Sequence, residues 1–198
     1  IPCASERVVG NAQEAQAAAI ELGGRVVLKM LSSTITHKSD VGGVAVGLDG
    51  ASVGSALDAM RATVTEKAGI APDGFIVQEM VPPGGFELIL GVHRDPLGPV
   101  LLVGMGGVTA EIMKDTVIRL LPPGSGLSEA QALSLVKELK CWPLLDGYRG
   151  RPKLDVAALV KAVVAFSGMV AHLGPRLHEA EINPLFVGAS GVTIVDAL

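Results

Sequence analysis

The stretch FIVQEMVPPGGFELILGVHRDPLGPVLLVGM, residues 75–105, decides the fold class of this chain. It contains three short apolar runs, FIVQEMV (75–81), FELILGV (86–92) and PVLLVGM (99–105), with proline and glycine between them. Short apolar runs bounded by turn residues are typical of successive strands. Because strands joined by short connections pair antiparallel, we predict antiparallel sheet here. The first two runs either form a hairpin or flank a hinge.

The flanking sequence adds helices and further strands. Asn11 and Glu14 form a capping signal before AQEAQAAAIEL, which ends at Gly23-Gly24. Three more helices are predicted, from about Ser52 to Lys67, from Ser128 to Lys140, and from after Asp155 to Leu173. The last is apolar on most of its circumference, so we expect it to be deeply buried. Five more strands are predicted, at 25–30, 42–48, 117–121, 181–188 and 192–197. This order predicts an α+β fold in which antiparallel sheets pack against helices.

The composition restricts the class of protein. With 198 residues, 49% of them apolar, the chain can bury a core, whereas a net charge of −4 and 3% aromatic residues argue against nucleic acid as a partner. The longest uncharged stretches, 96–110 and 162–175, fall short of the roughly 18 apolar residues that a membrane span needs. No signal-peptide pattern opens the chain, so we expect a cytoplasmic protein. Cys3 and Cys141 lack metal-ligand spacing and are expected to be ordinary thiols.

Two features in the first third of the chain are suited to phosphate. Lys29 closes an apolar strand. A buried cation there needs an anionic partner, and phosphate is one such partner. A single lysine, however, favours the alternative in which its ammonium reaches water at a strand edge. The segment THKSDVGG, residues 36–43, places His37 and Lys38 before two glycines. A neutral histidine is nucleophilic at phosphorus, and a nearby lysine offsets the phosphoryl charge. A polar surface loop explains the same composition equally well.

A glycine pair later in the chain resembles an anion-binding loop. Gly106 and Gly107 follow a strand and precede Glu111 and Asp115, whose carboxylates could reach a metal bound to phosphates. The spacing matches neither GxGxxG nor the Walker pattern, and a simple glycine turn is the alternative.

The end of the chain carries possible magnesium ligands. Glu181, Asn183 and Asp196 lie on two predicted neighbouring strands, and Glu181 and Asn183 share a face because they are two residues apart. Magnesium takes hard oxygen ligands together with phosphate oxygens. A solvated sheet face would give the same pattern, and the two interpretations are equally supported by spacing.

Taken in order, several segments resemble the ATP-grasp domain of ADP-forming (NDP-forming) acyl-CoA synthetases, relatives of the nucleotide-binding subunit of succinyl-CoA synthetase. They are VVLKM, ITHKSDVGGVAVGL, the stretch from FIVQEM to IMKD, DGYRG, and EINPLFV with VDA. The resemblance covers essentially the whole chain. It implies an ATP-grasp fold with two lobes of mainly antiparallel sheet packed with helices, which clasp a nucleotide. We expect residues 1–77 to form the first lobe, truncated at its start, and 78–198 the second.

The resemblance also implies roles for individual residues. Lys29 is similar to the phosphate-binding lysine, and Glu87 to an acidic residue that contacts nucleotide or metal. His37, next to Lys38, is similar to a mobile-loop histidine that carries the phosphoryl group. The hinge that meets adenine is implied at Gln78, Glu79 and Met80, and the magnesium ligands at Asn183 and Asp196, with Glu181 close by.

The implied reaction converts carboxylate, ATP and CoA to acyl-CoA, ADP and phosphate. ATP/ADP and Mg²⁺ are the expected cofactors, and a CoA-binding and phosphohistidine domain or subunit, which handles the carboxylic acid and CoA, is the expected partner in an oligomer. One alternative is a non-catalytic nucleotide-sensing domain fused to an acyltransferase. A second is an ATP-grasp ligase that joins a carboxylate to an amine, although the HKSDVGG loop argues against it.

Overall fold

The computed structural model describes residues 1–35, 38–107 and 110–198, with the main chain alone at 110 and 111. The chain forms two compact units. The first unit is Ala4–Met80, and the second unit combines Ile1–Cys3 with Val81–Leu198. The lobe boundary expected after residue 77 stays a prediction; the chain leaves the first unit after Met80.

The first unit is a four-stranded antiparallel sheet with two helices. Its strands are β1 (Glu6–Val9), β2 (Val26–Leu31), β3 (Val44–Leu48) and β4 (Gly74–Glu79), and its helices are α1 (Ala12–Leu22) and α2 (Val53–Ala68). The strand order is β1-β4-β2-β3. Strand β1 was not predicted, because ERVV is short and half polar; it forms because it pairs along the edge of β4, with Glu6 opposite Gln78.

Capping chemistry explains why α1 begins where the sequence predicts. The Asn11 side chain accepts a hydrogen bond from the Glu14 N–H at 3.0 Å, and the Glu14 carboxylate accepts one from the Gly10 N–H at 2.6 Å. These bonds satisfy main-chain donors that the first helical turn leaves without partners. Gly23, at φ +71°, ends the helix.

The two faces of this sheet differ in composition. Val26, Leu28 and Met30 of β2 join Phe75 and Val77 of β4 in a buried cluster with the two helices. Because side chains alternate along a strand, the intervening residues lie on the opposite face. We call this opposite face the Lys29 face; its members on β2 and β4 are Val27, Lys29, Ile76 and Gln78.

The second unit is a five-stranded antiparallel sheet with four helices among the residues described. Its strands are β5 (Phe86–Asp95), β6 (Gly98–Met105), β7 (Thr116–Leu120), β8 (Glu179–Gly188) and β9 (Gly191–Ile194), in the order β7-β6-β5-β8-β9. Its helices are α3 (Ala110–Met113), α4 (Glu129–Lys137), α5 (Trp142–Leu145) and α6 (Val156–Leu173). Strands β4 and β5 lie in different sheets, so the hairpin alternative is wrong. Helix α4 also ends earlier than predicted.

Helix α6 is less buried than its sequence predicts. Seven of its residues, from Leu159 to Val170, are buried against the sheet, but Lys161, Ala165 and Met169 are exposed. Continued to Arg176, the helix is long and apolar enough to cross a membrane, with a mean hydropathy of 1.9. This segment contains Lys161 and therefore extends beyond the uncharged stretch 162–175, which by itself remains shorter than a membrane span. Packing in the core of the second unit is a sufficient reason for its apolar character.

Candidate functional site

Lys29 is a buried cation in the interior of a sheet. It is 8% exposed and lies on β2, which pairs with β3 on one side and β4 on the other. This position contradicts the alternative in which its ammonium reaches water at a strand edge. Charges interact strongly where little water screens them, so a phosphate at the Lys29 face would interact favourably with this ammonium.

Of the three predicted hinge residues, Gln78 has its side chain on the Lys29 face. Gln78 is 3% exposed, and its Nε2 donates to Glu6 Oε2 at 2.8 Å. The carboxylate of Glu79 accepts from the Ser5 N–H at 2.9 Å, and the Met80 N–H donates to the Arg25 carbonyl at 3.0 Å. These hydrogen bonds join the end of β4 to Ser5, Glu6 and Arg25. The hinge role stays a prediction.

The loop that carries Lys38 is tied to the strand that carries Lys29. The Gly43 N–H donates to the Lys38 carbonyl at 2.7 Å, and the Met30 N–H donates to the Gly43 carbonyl at 2.8 Å. A Cβ at Gly43 would lie 2.6 Å from Met30 Cγ, so only glycine allows this approach. His37, the predicted phosphoryl carrier, lies outside the described residues.

In the second unit, four residues form a polar group that we call the Gly107 cluster: Glu87, Gly107, Glu181 and Asn183. The Gly107 N–H donates to Asn183 Oδ1 at 3.1 Å, and Asn183 Nδ2 donates to Glu181 Oε1 at 3.2 Å. A Cβ on Gly107 would lie 1.7 Å from Glu87 Oε2, so the missing side chain makes room for that carboxylate. The structure thus brings together side chains from β5 and β8 that are far apart in sequence.

A β-bulge helps to position Asn183. Leu88 pairs with Leu185 and Leu90 with Ile182, so that Asn183 and Pro184 together oppose one residue of β5. Such an extra residue bends a strand locally and redirects a side chain. No short-range pattern in the sequence indicates this bulge.

The Gly106-Gly107 pair already has protein acceptors for its N–H groups. The Gly106 N–H donates to the Glu87 carbonyl at 2.9 Å, and a Cβ at Gly106 would lie 2.6 Å from main-chain atoms of Leu88. An anion at Gly107 would also stand beside the Glu87 carboxylate. The geometry therefore supports the glycine-turn alternative, and the phosphate-loop role of Gly106 and Gly107 stays a prediction without geometric support.

Asp196 is adjacent to the Gly107 cluster through its main chain. The Asn183 N–H donates to the Asp196 carbonyl at 3.0 Å, and Asp196 Oδ1 accepts from the Ala197 N–H at 3.0 Å. Within residues 1–35, 38–107 and 110–198, no three His, Cys, Asp or Glu side chains form a group able to hold a metal. A magnesium ion here would therefore need the Asn183 amide oxygen and oxygens from a bound ligand.

Asp115, considered above as a carboxylate that could reach a metal, has a structural position instead. It is 4% exposed and accepts hydrogen bonds from the main-chain N–H groups of Lys140 and Cys141, at 2.8 and 2.7 Å. Burial and this carboxylate raise the pKa of the Cys141 thiol to about 12. Sequence proximity to Gly107 was misleading because Asp115 immediately precedes β7, whose partner is β6.

A family model of the ATP-grasp domain matches residues 1–198. The β subunit of an ADP-forming acetate–CoA ligase I from Pyrococcus furiosus is 34% identical, over 100% of this chain and 84% of that subunit. A trans-feruloyl-CoA synthase from an unknown prokaryotic organism is 40% identical over 95% of this chain, which spans only 26% of that relative.

Solved structures of a dinucleotide-forming acetyl-coenzyme A synthetase 1 from Ca. Korarchaeum cryptofilum are also similar. In complex with coenzyme A, Ca-AMPCP and HgCl⁺, it gives a TM-score of 0.89 at 37% identity, over 100% of this chain and 85% of that one. A second structure holds coenzyme A and Mg-AMPPCP, with a phosphohistidine segment pointing towards the nucleotide binding site. It gives a TM-score of 0.81 at 36% identity, over 100% of this chain and 84% of that one.

Proposed function

The chain belongs to the ATP-grasp domain family, and we propose that it is the nucleotide-binding part of an ADP-forming acyl-CoA synthetase. The fold predicted from the sequence, two antiparallel sheets packed with helices in an ATP-grasp arrangement, is confirmed. In the proposed reaction a carboxylate, ATP and CoA yield acyl-CoA, ADP and phosphate. The phosphoryl group moves between ATP and a histidine on this route.

The observation that carries the proposal is the Gly107 cluster. It collects an amide oxygen and two carboxylates, from Asn183, Glu87 and Glu181, around a glycine that leaves room for one of them. Hard oxygen donors that are not all anionic suit magnesium that also binds phosphate oxygens. We propose that Asn183 and Asp196 hold the ion, with Glu181 orienting the Asn183 amide through the 3.2 Å hydrogen bond. When bound, magnesium would neutralise charge on the nucleotide phosphates.

Buried charge on the Lys29 face supports phosphate binding by the first unit. Phosphoryl transfer depends on positioning and charge stabilisation more than on covalent chemistry by the protein. We propose that the Lys29 ammonium, 8% exposed, contacts the nucleotide phosphates. Its burial strengthens the electrostatic interaction, because little water screens it.

We propose that His37 accepts the phosphoryl group. A lone pair of a neutral imidazole nitrogen attacks the γ-phosphorus, the bond from that phosphorus to the β–γ bridging oxygen breaks, and ADP leaves with the electron pair. Lys38 would offset the charge of the phosphoryl group. Transfer onward to carboxylate and CoA requires a partner domain or subunit, as in the relatives, which are β subunits or longer chains. The acyl substrate would be selected by that partner.

Phosphoryl labelling tests this function. We expect the complete protein, incubated with γ-labelled ATP and Mg²⁺, to acquire acid-labile label that His37→Ala abolishes while nucleotide binding persists. Lys29→Met should weaken nucleotide binding by about tenfold or more, because a charge-assisted contact is lost. Lys67→Met, which removes an exposed lysine of α2, is the control for Lys29→Met.

The competing functions give different results. Equal labelling of wild type and His37→Ala would remove the proposed role of His37. Nucleotide binding with no labelling in either protein would favour the nucleotide-sensing alternative. Turnover of the complete protein with amines but never with CoA would favour a carboxylate–amine ligase.

A further inference from the structure

The two edges of the sheet in the second unit differ. At one edge the Ile194 N–H of β9 donates to the Pro2 carbonyl at 2.8 Å, and Cys3 forms a β-bridge with Ile194, so residues at the start of the chain cover this strand. At the other edge lies β7, which pairs with β6 on one side. Across the part of the chain that the structure describes, no strand pairs with the other side of β7.

The main-chain groups of three β7 residues point to this open edge. The Asp115 carbonyl accepts from β6 just before β7 begins, and the Leu121 N–H donates to β6 just after β7 ends, both at 2.9 Å. Hydrogen-bonded and non-hydrogen-bonded pairs alternate along antiparallel strands, so the odd-numbered residues of β7 bond to β6. The even-numbered residues, Thr116, Ile118 and Leu120, therefore direct their N–H and C=O groups away from β6.

The side chains of the same residues extend an apolar surface on the outer face of the sheet. Ile118 is 57% exposed and Leu120 is 51% exposed. They pair with Leu102 and Val100 of β6, and the exposed Leu97 lies in the turn between β5 and β6. Antiparallel sheets usually present polar residues on a face that meets water, and edge strands usually carry charges or proline. This edge is therefore suited to contact with another strand.

We propose that β7 pairs antiparallel with β7 of a second copy of this chain, about a two-fold axis at Ile118. In this register Ile118 faces Ile118 and Thr116 faces Leu120, and these are the residues whose main-chain groups point outwards. Each facing pair can exchange two main-chain hydrogen bonds. Facing residues also lie on the same side of the sheet, so the apolar outer faces of the two copies meet.

The charges of β7 permit this contact. Arg119, the charged residue within the strand, lies on the opposite face of the sheet from Ile118, and its Nη2 donates to Glu138 Oε1 of α4. In the proposed register Arg119 faces Val117 of the second copy, so like charges do not oppose each other. Because both copies use the same patch, the contact closes at two copies and does not continue into a filament.

Sedimentation equilibrium of the complete protein tests the proposal. We expect the wild type to associate in pairs, and Ile118→Lys to raise the dissociation constant of the pair by about tenfold or more, because two ammonium groups would face each other across the axis. Ile20→Lys is a matched control, because it places the same charge at an exposed apolar residue of α1. It should keep the wild-type dissociation constant.

Disulfide formation tests the register itself. We expect Ile118→Cys, in a Cys3→Ser background, to form a covalent dimer when treated with diamide, which takes two electrons and two protons from each pair of thiols. Facing residues of this kind have Cα atoms about 5.5 Å apart, a separation that a disulfide spans. Cys141 is buried and should not interfere. Ile20→Cys in the same background is the control and should remain uncrosslinked.

Three results would overturn the inference. They are a wild type with one copy per particle, an unchanged dissociation constant in Ile118→Lys, and no covalent dimer from Ile118→Cys. A dimer that forms through another face, or a different protein that covers β7, would give the last two results. Circular dichroism checks that each variant is folded; if Ile118→Lys does not fold, Ile118→Cys carries the test. None of these measurements involves nucleotide, so their failure is distinguishable from failure of the proposed function.

Discussion

Among single residues, Asp115 and Cys141 form a buried polar contact that binds two parts of the second unit together. The Asp115 carboxylate accepts from the main chain just after α4, so it fixes the start of β7 against the end of that helix. Two main-chain N–H donors satisfy this buried carboxylate, so no bound ligand is needed to explain its burial. The contact also suppresses ionisation of the Cys141 thiol.

The pKa of Cys141 predicts a loss of stability at high pH. The thiol has a pKa of about 12 in the folded chain, against an ordinary value of 9.0. Between these values the unfolded chain releases this proton and the folded chain retains it, so stability falls as pH rises. We expect the unfolding free energy of the wild type to decrease relative to that of Cys141→Ala between about pH 8 and about pH 10.5, measured by urea unfolding.

Thiol labelling gives an independent check of the same residue. At neutral pH the exposed Cys3 should react with a maleimide, and Cys141 only after unfolding. Rapid labelling of both thiols in the folded protein, or parallel pH profiles of wild type and Cys141→Ala, would contradict the raised pKa.

At the scale of elements, the turn after β6 depends on glycines for a packing reason. Gly106 touches the main chain of β5, and Gly107 leaves space for the Glu87 carboxylate. The turn therefore fixes the position of Asn183 and Glu87 relative to each other. Its glycines act through close approach, which differs from the anion nest that the sequence suggested.

Substitution of glycine by alanine should lower the stability of the protein in this turn and raise it in α6. Gly106→Ala places a Cβ 2.6 Å from main-chain atoms of Leu88, so we expect a loss of stability. Overpacking of this kind costs about 1–3 kcal/mol. Gly168→Ala is the control, because an added Cβ there meets nothing within 4 Å and alanine favours the helix by about 0.5–1 kcal/mol. Chemical denaturation measures the unfolding free energies of both variants. A Gly106→Ala variant as stable as wild type would contradict the packing argument.

At the scale of the whole molecule, each unit has its own sheet and its own buried cluster. A ligand that binds only the folded chain stabilises it according to its concentration and affinity.

Nucleotide with magnesium should therefore raise the stability of the complete protein. At a concentration about 100 times its Kd, the nucleotide should add about 2.7 kcal/mol to the unfolding free energy, if unfolding is two-state. In Asn183→Ala and in Asp196→Ala we expect the magnesium-dependent part of this gain to shrink. Thermal unfolding with and without Mg²⁺ measures it, with Asp146→Asn, which breaks an exposed ion pair with Lys153, as the control. An unchanged magnesium dependence in both variants would exclude the ligand pair.

The sequence by itself determined the antiparallel α+β class, the start of α1 and α6, and most strands, because capping and alternating hydrophobicity are local properties of the chain. The order of the matched segments also determined the ATP-grasp family. Local patterns could not reveal β1 or the separation of β4 from β5, since strand pairing depends on residues distant in sequence.

Only the tertiary structure decided which polar residues meet. It showed that Lys29 is buried in a central strand, that Asp115 is structural, and that Glu6 holds the Gln78 amide. It also assembled the Gly107 cluster through the register of β5 and β8 and the bulge at Asn183. The physical reason is that burial and hydrogen-bond geometry depend on neighbours in space. These neighbours cannot be deduced from a single polar residue in the sequence.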